Sequence, residues 1–378
     1  MRTSTPRSLQ PLAEVSGGTD VLVDAVIFDD ELDILDFRLK YLADKVDYFL
    51  IAESKRTFAG EAKPLVFRSV CHRYAHLTHR LKLVEYELPA EAEDRWEREA
   101  LARNSLLPAL RAFPPESVAL VCDVDEIPSA EQCVAARTVD RAHSIAMRTY
   151  LRRANWRVHY EQPWLGARAV PVSRLPEKLE TLRWGEPLEL PVLGGSDGAH
   201  LSYVGFNASG IARKYSHYSH VELDTPAAAS HSLIALADRM AVDHMGKPYR
   251  RGRGLLSVED ADDWDDIQEW AHRDHPDWFD SRQQHPRRLA RLCAVMLIDE
   301  VVSLGFPDSI EVLSGRRIAP SFLVFLRVVT KVGRANLYEF CASLPDRFVR
   351  HFGNARSRGV ESCARLLLAA ARIARPFS

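Results

Sequence analysis

Two aspartates that are one residue apart follow a short apolar segment of the chain. Asp123 and Asp125 come directly after Val118–Cys122, and Glu126 is the next residue. Because side chains alternate along an extended backbone, the two aspartates would point to the same side. Hard cations such as Mg²⁺ and Mn²⁺ prefer carboxylate oxygens, and a cation held in this way can also bind the phosphates of a nucleotide. The segment therefore predicts a Mn²⁺ or Mg²⁺ site formed by Asp123, Asp125 and Glu126.

The same pair of aspartates is also typical of a different chemistry. Phosphatases of the haloacid dehalogenase type place a nucleophilic aspartate and an acid/base aspartate two residues apart after an apolar strand. Their motif usually continues with Gly-Thr or Gly-Val near the start of the domain. Here Glu126-Ile127-Pro128 follows, and residues 20–122 already show an α/β pattern. This favours the cation site and leaves two alternatives, the phosphatase and a protein that binds a sugar nucleotide without turning it over.

The first half of the chain alternates strand and helix patterns. Short apolar segments predict strands, and leucines at helical spacing predict an amphipathic helix over 31–43. Repeated strand–helix units indicate an α/β fold with a mostly parallel sheet and helices on both faces. Ligands of such sheets bind beyond the carboxyl ends of the strands, where Asp29, Glu53 and Asp123 fall. The predicted strands are Val21–Phe28, Val46–Ala52, Leu81–Leu88, Val118–Cys122, Ser144–Tyr150 and His200–Val204, and further helices are predicted over 94–111 and 230–243.

The character of the sequence divides the chain into three parts. Residues 1–19 predict a disordered lead, residues 20–285 the α/β domain, and residues 286–378 a helical C-terminal extension. The extension contains the basic, Leu/Ala-rich segment Ala364–Arg372. A basic amphipathic helix of this kind can lie on an anionic membrane surface, but docking on the α/β domain is the favoured interpretation.

Composition and charge limit the partners and the location of the protein. The 378 residues include 50 basic and 52 acidic ones, and the net charge of −2 gives no general attraction to nucleic acid. Six cysteines without CxxC spacing are typical of reduced cytosolic thiols. The lead has no apolar segment of a signal peptide, and no segment reaches the roughly 20 apolar residues of a membrane-spanning helix. We expect a cytoplasmic protein without a transmembrane segment, whose C-terminal helices allow peripheral contact with the inner membrane face.

Six short segments within residues 20–280 follow one another in a distinctive order and spacing. They are Phe28-Asp-Asp-Glu-Leu-Asp33 with Arg38-Leu39; Val46-Asp-Tyr-Phe-Leu-Ile-Ala-Glu53-Ser54; Phe58-Ala-Gly60 with Lys63-Pro64-Leu65; Trp96-Glu-Arg-Glu99 with Arg103-Asn104; Asp123-Val-Asp-Glu-Ile-Pro128; and Gly198-Ala-His200-Leu-Ser202-Tyr203 with Ser219-His220-Val-Glu222. Together they resemble glycosyltransferase family 17, whose best-known members add the bisecting N-acetylglucosamine to the β-mannose of N-glycans.

The resemblance implies a GT-A-like fold and transfer of N-acetylglucosamine from UDP-N-acetylglucosamine to a hydroxyl group with inversion at the anomeric carbon. Two positions depart from the family pattern: Asp30 stands where Asn is common, and Ala199 where an aromatic residue usually precedes the histidine. No membrane anchor is predicted, in contrast to the Golgi members, so the N-glycan acceptor is not carried over. We expect a cell-surface glycan, a glycolipid or a small metabolite as the acceptor.

The resemblance also implies which residues bind the donor. At the carboxyl end of a strand, Glu53 and Ser54 could hydrogen-bond the uracil or the ribose, with a helix-capping pair as the alternative. Arg103 could bind the diphosphate through two parallel hydrogen bonds, with an exposed helix arginine as the alternative. The complete predicted donor-binding set is Phe28, Glu31, Glu53, Ser54, Arg103, Asp123 and His200.

The segment around His220 provides the remaining candidates. A neutral imidazole of His220 could complete the ligand shell of the cation, with a packed core histidine as the alternative. An inverting transfer also needs a base within hydrogen-bond reach of the acceptor hydroxyl, and Glu222 and Asp197 are the predicted catalytic residues. The tryptophans of residues 150–190 could offer flat faces to sugar rings, although tryptophans are more often part of the core.

Overall fold

The computed structural model describes residues 21–90, 94–160, 162–184, 190–225, 228–246 and 254–282, together with six helical positions between 291 and 299. The predicted lead and nearly all of the predicted C-terminal extension, including Ala364–Arg372, lie outside the described residues. The helices that are described lack the length and the apolar character needed to cross a bilayer.

The strands of the described residues form two sheets. In chain order they are β1 (Leu22–Phe28), β2 (Tyr48–Ser54), β3 (Leu81–Tyr86), β4 (Val118–Asp123), β5 (Glu126–Ile127), β6 (His143–Ser144), β7 (Met147–Leu151), β8 (Trp156–Val158), β9 (Arg168–Pro171), β10 (Gly198–Ser202) and β11 (Ser257–Val258). The first sheet has the order β3-β2-β1-β4-β9-β6, in which the first four strands are parallel and β9 is antiparallel to both neighbours. The second has the order β11-β8-β7-β10-β5, and only β7 and β10 pair in parallel.

Helices cover both faces of the first sheet. The α-helices of the described residues are α1 (Leu32–Tyr41), α2 (Val66–Val70), α3 (Arg95–Asn104), α4 (Leu107–Leu110), α5 (Ala130–Ala136), α6 (Glu180–Trp184), α7 (Ala208–His217), α8 (His231–Met240) and α9 (Asp266–Asp274). Of these, α7 and α8 pack in a separate core with β7 and β8 of the second sheet. Side chains of β1 alternate between two cores: Leu22 and Val26 belong to the core that contains α1, whereas Val23 and Ala25 belong to the core that contains α3 and α4. Burial on both faces explains why this strand is apolar along nearly its whole length.

The predicted α/β fold is confirmed, and it is consistent with a GT-A-like arrangement. Parallel pairing holds for β1 to β4, each of which was predicted as a strand from the sequence. The separate, mainly antiparallel second sheet was not predicted. Several of its strands have only two or three residues, which is too short to show an alternating pattern.

Two predicted elements are interrupted in the structure. The helix predicted over 94–111 is divided into α3 and α4, because Pro108 has no N–H with which to continue the hydrogen bonds of α3. The strand predicted over Ser144–Tyr150 is divided into β6, which pairs in the first sheet, and β7, which pairs in the second. The chain therefore changes sheets at a point where the sequence remains uniformly apolar.

A buried ion pair connects α1 to the first sheet. Arg38 and Asp24 of β1 have side chains that are 0% and 1% exposed, and the guanidinium donates two hydrogen bonds to the carboxylate, at 2.8 and 2.5 Å. Burial acts to lower the pKa of Arg38, but the charge and hydrogen bonds of Asp24 outweigh it and raise the pKa. The remaining nitrogen, Nη1, donates to the backbone oxygens of Glu126 at 2.5 Å and of Asp123 and Val124 at 3.3 Å. Arg38 thus holds the backbone of the loop that carries the predicted cation site.

Replacing Arg38 with methionine should lower the free energy of unfolding by about 3–5 kcal/mol, because Asp24 would be left charged and unpaired in the core. The double variant Asp24→Leu/Arg38→Met should recover part of this loss, and Arg174→Met, an exposed control, should change stability by about 0.5 kcal/mol or less. Urea unfolding measures all three. A single Arg38→Met variant within about 1 kcal/mol of wild type would contradict the importance given to this pair.

Candidate active site

A cavity of about 350 Å³ opens at the carboxyl ends of β1 and β4. Its volume lies within the range of small-ligand sites, and its position is that at which open α/β sheets bind ligands. Both sheets and α7 contribute side chains to its wall, among them Phe28, Asp29, Glu31, Asp123, Asp125, His200, Lys214 and His217. Of the residues predicted from the sequence, the structure brings Phe28, Glu31, Asp123, Asp125, His200, His220 and Glu222 together around this space.

Asp123 is held by two arginines. Its Oδ1 accepts a hydrogen bond from Arg103 at 2.9 Å and its Oδ2 accepts one from Arg183 at 2.6 Å. Burial alone would raise the pKa of Asp123, but the charges of Arg183 and Arg103 lower it well below its usual range. Asp123 is therefore a permanently ionised carboxylate with a fixed orientation. Arg183 lies in the segment whose arginines, tryptophans and prolines gave no periodic pattern, and the sequence analysis did not select it.

Glu126 is fully buried beneath the cavity. Its oxygens accept hydrogen bonds from the backbone N–H of Asp123 at 2.7 Å, from the indole of Trp164 at 2.6 Å and from Arg183 at 2.8 and 3.0 Å. A Cβ at Gly166 would lie 2.3 Å from Oε1 of Glu126, so only glycine fits beside this carboxylate. Glu126 was predicted as a metal ligand; in the structure its oxygens are directed at these donors, and it is absent from the cavity wall.

Asp125 has looser contacts than Asp123 and Glu126, the other two carboxylates of the motif. Its Oδ2 lies 3.6 Å from Nζ of Lys214 and its Oδ1 lies 3.8 Å from Nε2 of His200, both beyond hydrogen-bond distance. Its backbone oxygen accepts the N–H of Leu201 in β10 at 2.8 Å, which fixes the main chain. Asp125 therefore combines a fixed backbone with a side chain that faces the cavity and keeps acceptor capacity for a further ligand.

Lys214 places a buried positive charge in the wall. Its Nζ lies 3.2 Å from Glu31 and between 5.2 and 5.7 Å from three aromatic ring centres. Burial acts to lower the pKa of Lys214, but Asp125 and Glu31 raise it well above its ordinary value. The sequence analysis did not select Lys214, although a signal existed: it lies three residues after Ile211 on the buried face of α7. The three rings belong to Tyr203, Phe206 and Tyr218.

The side chains around Asp125 offer oxygen and nitrogen donor atoms. Burial lowers the pKa of His200, so its imidazole is neutral, and its Nδ1 makes no hydrogen bond to any described residue. Asp125, one lone pair of Asp123 and a nitrogen of His200 could hold a cation of the Mn²⁺ type. Within the part of the chain that the structure describes, groups of three potential ligand atoms within 4.8 Å of one another occur at Asp29–Asp30–His217 and at Asp36–Asp274–His275; Asp123, Asp125 and His200 do not form such a group. Asp29 and His217 line the same cavity.

The predicted ligand His220 lies on the wall in a different arrangement. Its Nδ1 is 2.6 Å from Oε1 of Glu222, and its ring contacts the rings of Trp96 and Tyr218. The contact with Glu222 joins the predicted metal ligand to one of the two predicted bases. Asp197, the other predicted base, lies in the turn before β10 and is absent from the cavity wall.

Three residues of the predicted donor-binding set also lie away from the wall. Glu53 is buried and accepts the N–H groups of Phe67 and Arg68 at the start of α2, at 3.0 and 3.3 Å, which is the helix-capping arrangement considered as the alternative. Ser54 accepts the N–H of Arg56 at 3.2 Å. Arg103 is buried rather than exposed, and it acts on the site through its bond to Asp123.

Together the fold and the site define an α/β protein with carboxylates and buried cations around a cavity at the strand ends. Residues 14–229 match the sequence model of glycosyltransferase family 17, and the chain belongs to this family, as the sequence analysis predicted. It is similar to the β-1,4-mannosyl-glycoprotein 4-β-N-acetylglucosaminyltransferases of Rattus norvegicus and Homo sapiens, each 29% identical, and of Mus musculus, 28% identical. Each similarity extends over 127 residues, 32% of this chain and 24% of the relative, so the chain matches about a quarter of the length of these curated relatives.

A pH-dependent contribution to stability is expected from the pair of His217 and Asp29, whose Nδ1–Oδ2 distance is 2.8 Å. The hydrogen bond to Asp29 raises the pKa of His217 above its ordinary value of 6.5. The stabilisation is therefore complete below pH 6.5 and is lost as the pH rises through the raised folded-state pKa. The difference in unfolding free energy between wild type and His217→Gln should be larger at pH 6 than at pH 9, as measured by urea unfolding. In an Asp29→Asn background this difference should depend much less on pH, because the hydrogen bond that raises the pKa most is weakened, and an undiminished dependence there would contradict the assignment.

Proposed function

We propose that the protein transfers N-acetylglucosamine from UDP-N-acetylglucosamine to a hydroxyl group of a glycan, a glycolipid or a small-molecule acceptor, with inversion at the anomeric carbon. Membership of glycosyltransferase family 17 and the similarity to relatives named as N-acetylglucosaminyltransferases support the reaction class and the sugar. The single observation that carries the proposal is the position of Asp125 on the wall of the strand-end cavity, beside an Asp123 carboxylate held by two arginines.

A divalent cation, Mn²⁺ or Mg²⁺, is part of the proposal. Asp125, Asp123 and His200 would hold it, and when bound it supplies neutralisation of the charge that develops on the departing nucleoside diphosphate. The protein contributes further positive charge of its own, because Arg183 and Lys214 both lie on the cavity wall. Positive charge in a cleft with low-dielectric walls favours an anionic donor. The burial of Lys214 between Glu31 and Asp125 also keeps these two carboxylates from repelling each other before the donor binds.

For the acceptor we propose a class of molecule, and for the location the cytoplasm. The curated relatives are named for a β-1,4-mannosyl-glycoprotein acceptor, but the similarity covers only 24% of their length. We propose a cytoplasmic enzyme that acts on a carbohydrate hydroxyl. Contact with the inner membrane face through the C-terminal segment remains part of this proposal.

The phosphatase alternative finds little support in the geometry. It requires Asp123 to attack a phosphorus atom, and both oxygens of Asp123 accept hydrogen bonds from arginines. A carboxylate stabilised in this way is a weaker nucleophile than one with free lone pairs. Family membership points in the same direction.

The Asp125→Asn variant tests the proposal. Wild type should release UDP from UDP-N-acetylglucosamine when Mn²⁺ is added, and the variant should be slower by roughly 100-fold or more, because a neutral amide is a poor ligand for a hard cation. Asp140→Asn, at an exposed position away from the cavity, is the matched control and should retain wild-type activity. The stability of Asp125→Asn should change by about 1 kcal/mol or less, since Lys214 keeps its contact with Glu31.

Different outcomes separate the hypotheses. Wild-type UDP release by Asp125→Asn would refute the proposed cation site. If the wild-type protein binds UDP-N-acetylglucosamine but never releases UDP, the protein is a non-catalytic sugar-nucleotide-binding protein. Release of inorganic phosphate from small phosphoesters, abolished in Asp123→Asn, would establish the phosphatase instead.

A further inference from the structure

A hydrogen-bonded imidazole–carboxylate pair lies on the cavity wall. His220 and Glu222 are two residues apart, at the 3₁₀ turn Val221–Leu223 that follows α7, and their side chains are 24% and 34% exposed. Nδ1 of His220 is 2.6 Å from Oε1 of Glu222. An ionised carboxylate can only accept, so Nδ1 carries the proton of the neutral ring and Nε2 carries the free lone pair. The pair therefore has the form of a base oriented by a carboxylate.

The free nitrogen is available to a ligand in the cavity. Among the described residues no group forms a hydrogen bond with Nε2 of His220. The ring meets Trp96 edge to face, with centroids 4.7 Å apart, and is tilted against Tyr218 at 5.1 Å. Two ring contacts and one hydrogen bond thus fix the orientation of the imidazole, and all four side chains line the cavity.

Arg95 joins the segment of His220 to the helix that carries Trp96. Its Nη1 donates to the backbone oxygen of Tyr218 at 3.1 Å, and its Nη2 forms an ion pair with Asp224 at 2.7 Å. The hydroxyl of the buried Ser219 donates to the backbone oxygen of Arg95 at 3.4 Å. These contacts lie on both sides of His220 in the chain. They fix the position of the His220 segment relative to the indole of Trp96, which is 36% exposed.

We infer that His220 is the general base of the transfer, that Glu222 is its positioning residue, and that Trp96 provides the face on which an acceptor sugar rests. This inference rests on the proposed function. Nε2 of His220 takes the proton of the acceptor hydroxyl while the hydroxyl oxygen bonds to C1 of N-acetylglucosamine. The bond from C1 to the phosphate oxygen breaks, and its electron pair leaves with UDP. The charge of Glu222 stabilises the imidazolium that forms, as a carboxylate does for the histidine of hydrolase triads.

This assignment differs from the one made from the sequence, in which Glu222 was the base and His220 a cation ligand. The hydrogen bond between them is the reason for the new assignment, because one oxygen of Glu222 already accepts from Nδ1 of His220. The flat apolar face of Trp96 beside His220 also indicates the class of acceptor. A pyranoside can pack its apolar ring face on Trp96 and present a hydroxyl group at its edge to Nε2 of His220.

The test compares His220→Gln with wild type in UDP release from UDP-N-acetylglucosamine and Mn²⁺, with water and with a panel of 4-nitrophenyl glycosides as acceptors. Loss of a general base should lower kcat by roughly 10²- to 10⁴-fold, while the Kd for UDP in the presence of Mn²⁺ stays within about twofold of wild type because donor contacts are unchanged. His76→Gln, at an exposed position, is the matched control and should behave as wild type.

Glu222→Gln gives a second, milder readout that does not depend on the folding of His220→Gln. Glutamine keeps an acceptor for Nδ1 and removes the charge, so kcat should fall by about tenfold with KM for the donor unchanged. If His220→Gln and Glu222→Gln both turn over at the wild-type rate while Asp125→Asn does not, the base assignment is wrong and the proposed function stands. If wild type releases no UDP at all, both fail. A parallel loss of UDP affinity in His220→Gln would place His220 in donor binding and would also overturn the inference.

Discussion

The loop that carries the site is held in place by the buried guanidinium of Arg38. Arg38 lies inside the protein with its charge balanced by Asp24 of the neighbouring strand, and its remaining donor capacity is used on the backbone oxygens of the loop after β4. Because these backbone oxygens point at Arg38 in α1, they do not face the cavity. The side chains of Asp123 and Asp125 line the cavity wall. The identity of the residue matters, because only arginine can form two bonds to a carboxylate and still donate to a third group.

The three carboxylates of this loop have two different kinds of surroundings. The oxygens of Asp123 accept hydrogen bonds from two arginines, and those of Glu126 accept from Arg183, an indole and a backbone N–H; the low-dielectric surroundings make these bonds strong. The side chain of Asp125 has only more distant neighbours, the ammonium of Lys214 at 3.6 Å and the neutral imidazole of His200 at 3.8 Å. Carboxylates of one short motif therefore differ in their contacts. Those of Asp123 and Glu126 are held by hydrogen bonds within the protein, whereas that of Asp125 keeps acceptor capacity for a ligand. A motif of residue types alone does not distinguish these two roles.

Much of the first sheet could be predicted, because strands buried on both faces are continuous apolar segments, and β4 delivers its aspartates where open sheets bind ligands. The contacts that define the site could not. Arg183 reaches Asp123 from 60 residues away in the chain, and no local pattern encodes such a pairing. The bond between His220 and Glu222 has visible spacing in the sequence. It forms in a 3₁₀ turn, where strand alternation does not decide which side each residue faces.

At one of its crossings from the first sheet to the second the chain uses two residues, Val124 and Asp125, since β4 ends at Asp123 and β5 begins at Glu126. A rotation of one sheet against the other would change the backbone dihedral angles of this short connection, and with them the separation between the carboxylates of Asp123 and Asp125. Ligand affinity is thereby coupled mechanically to inter-sheet packing. Substitutions deep between the sheets, remote from the cavity, can consequently retune the site without replacing any residue of its wall.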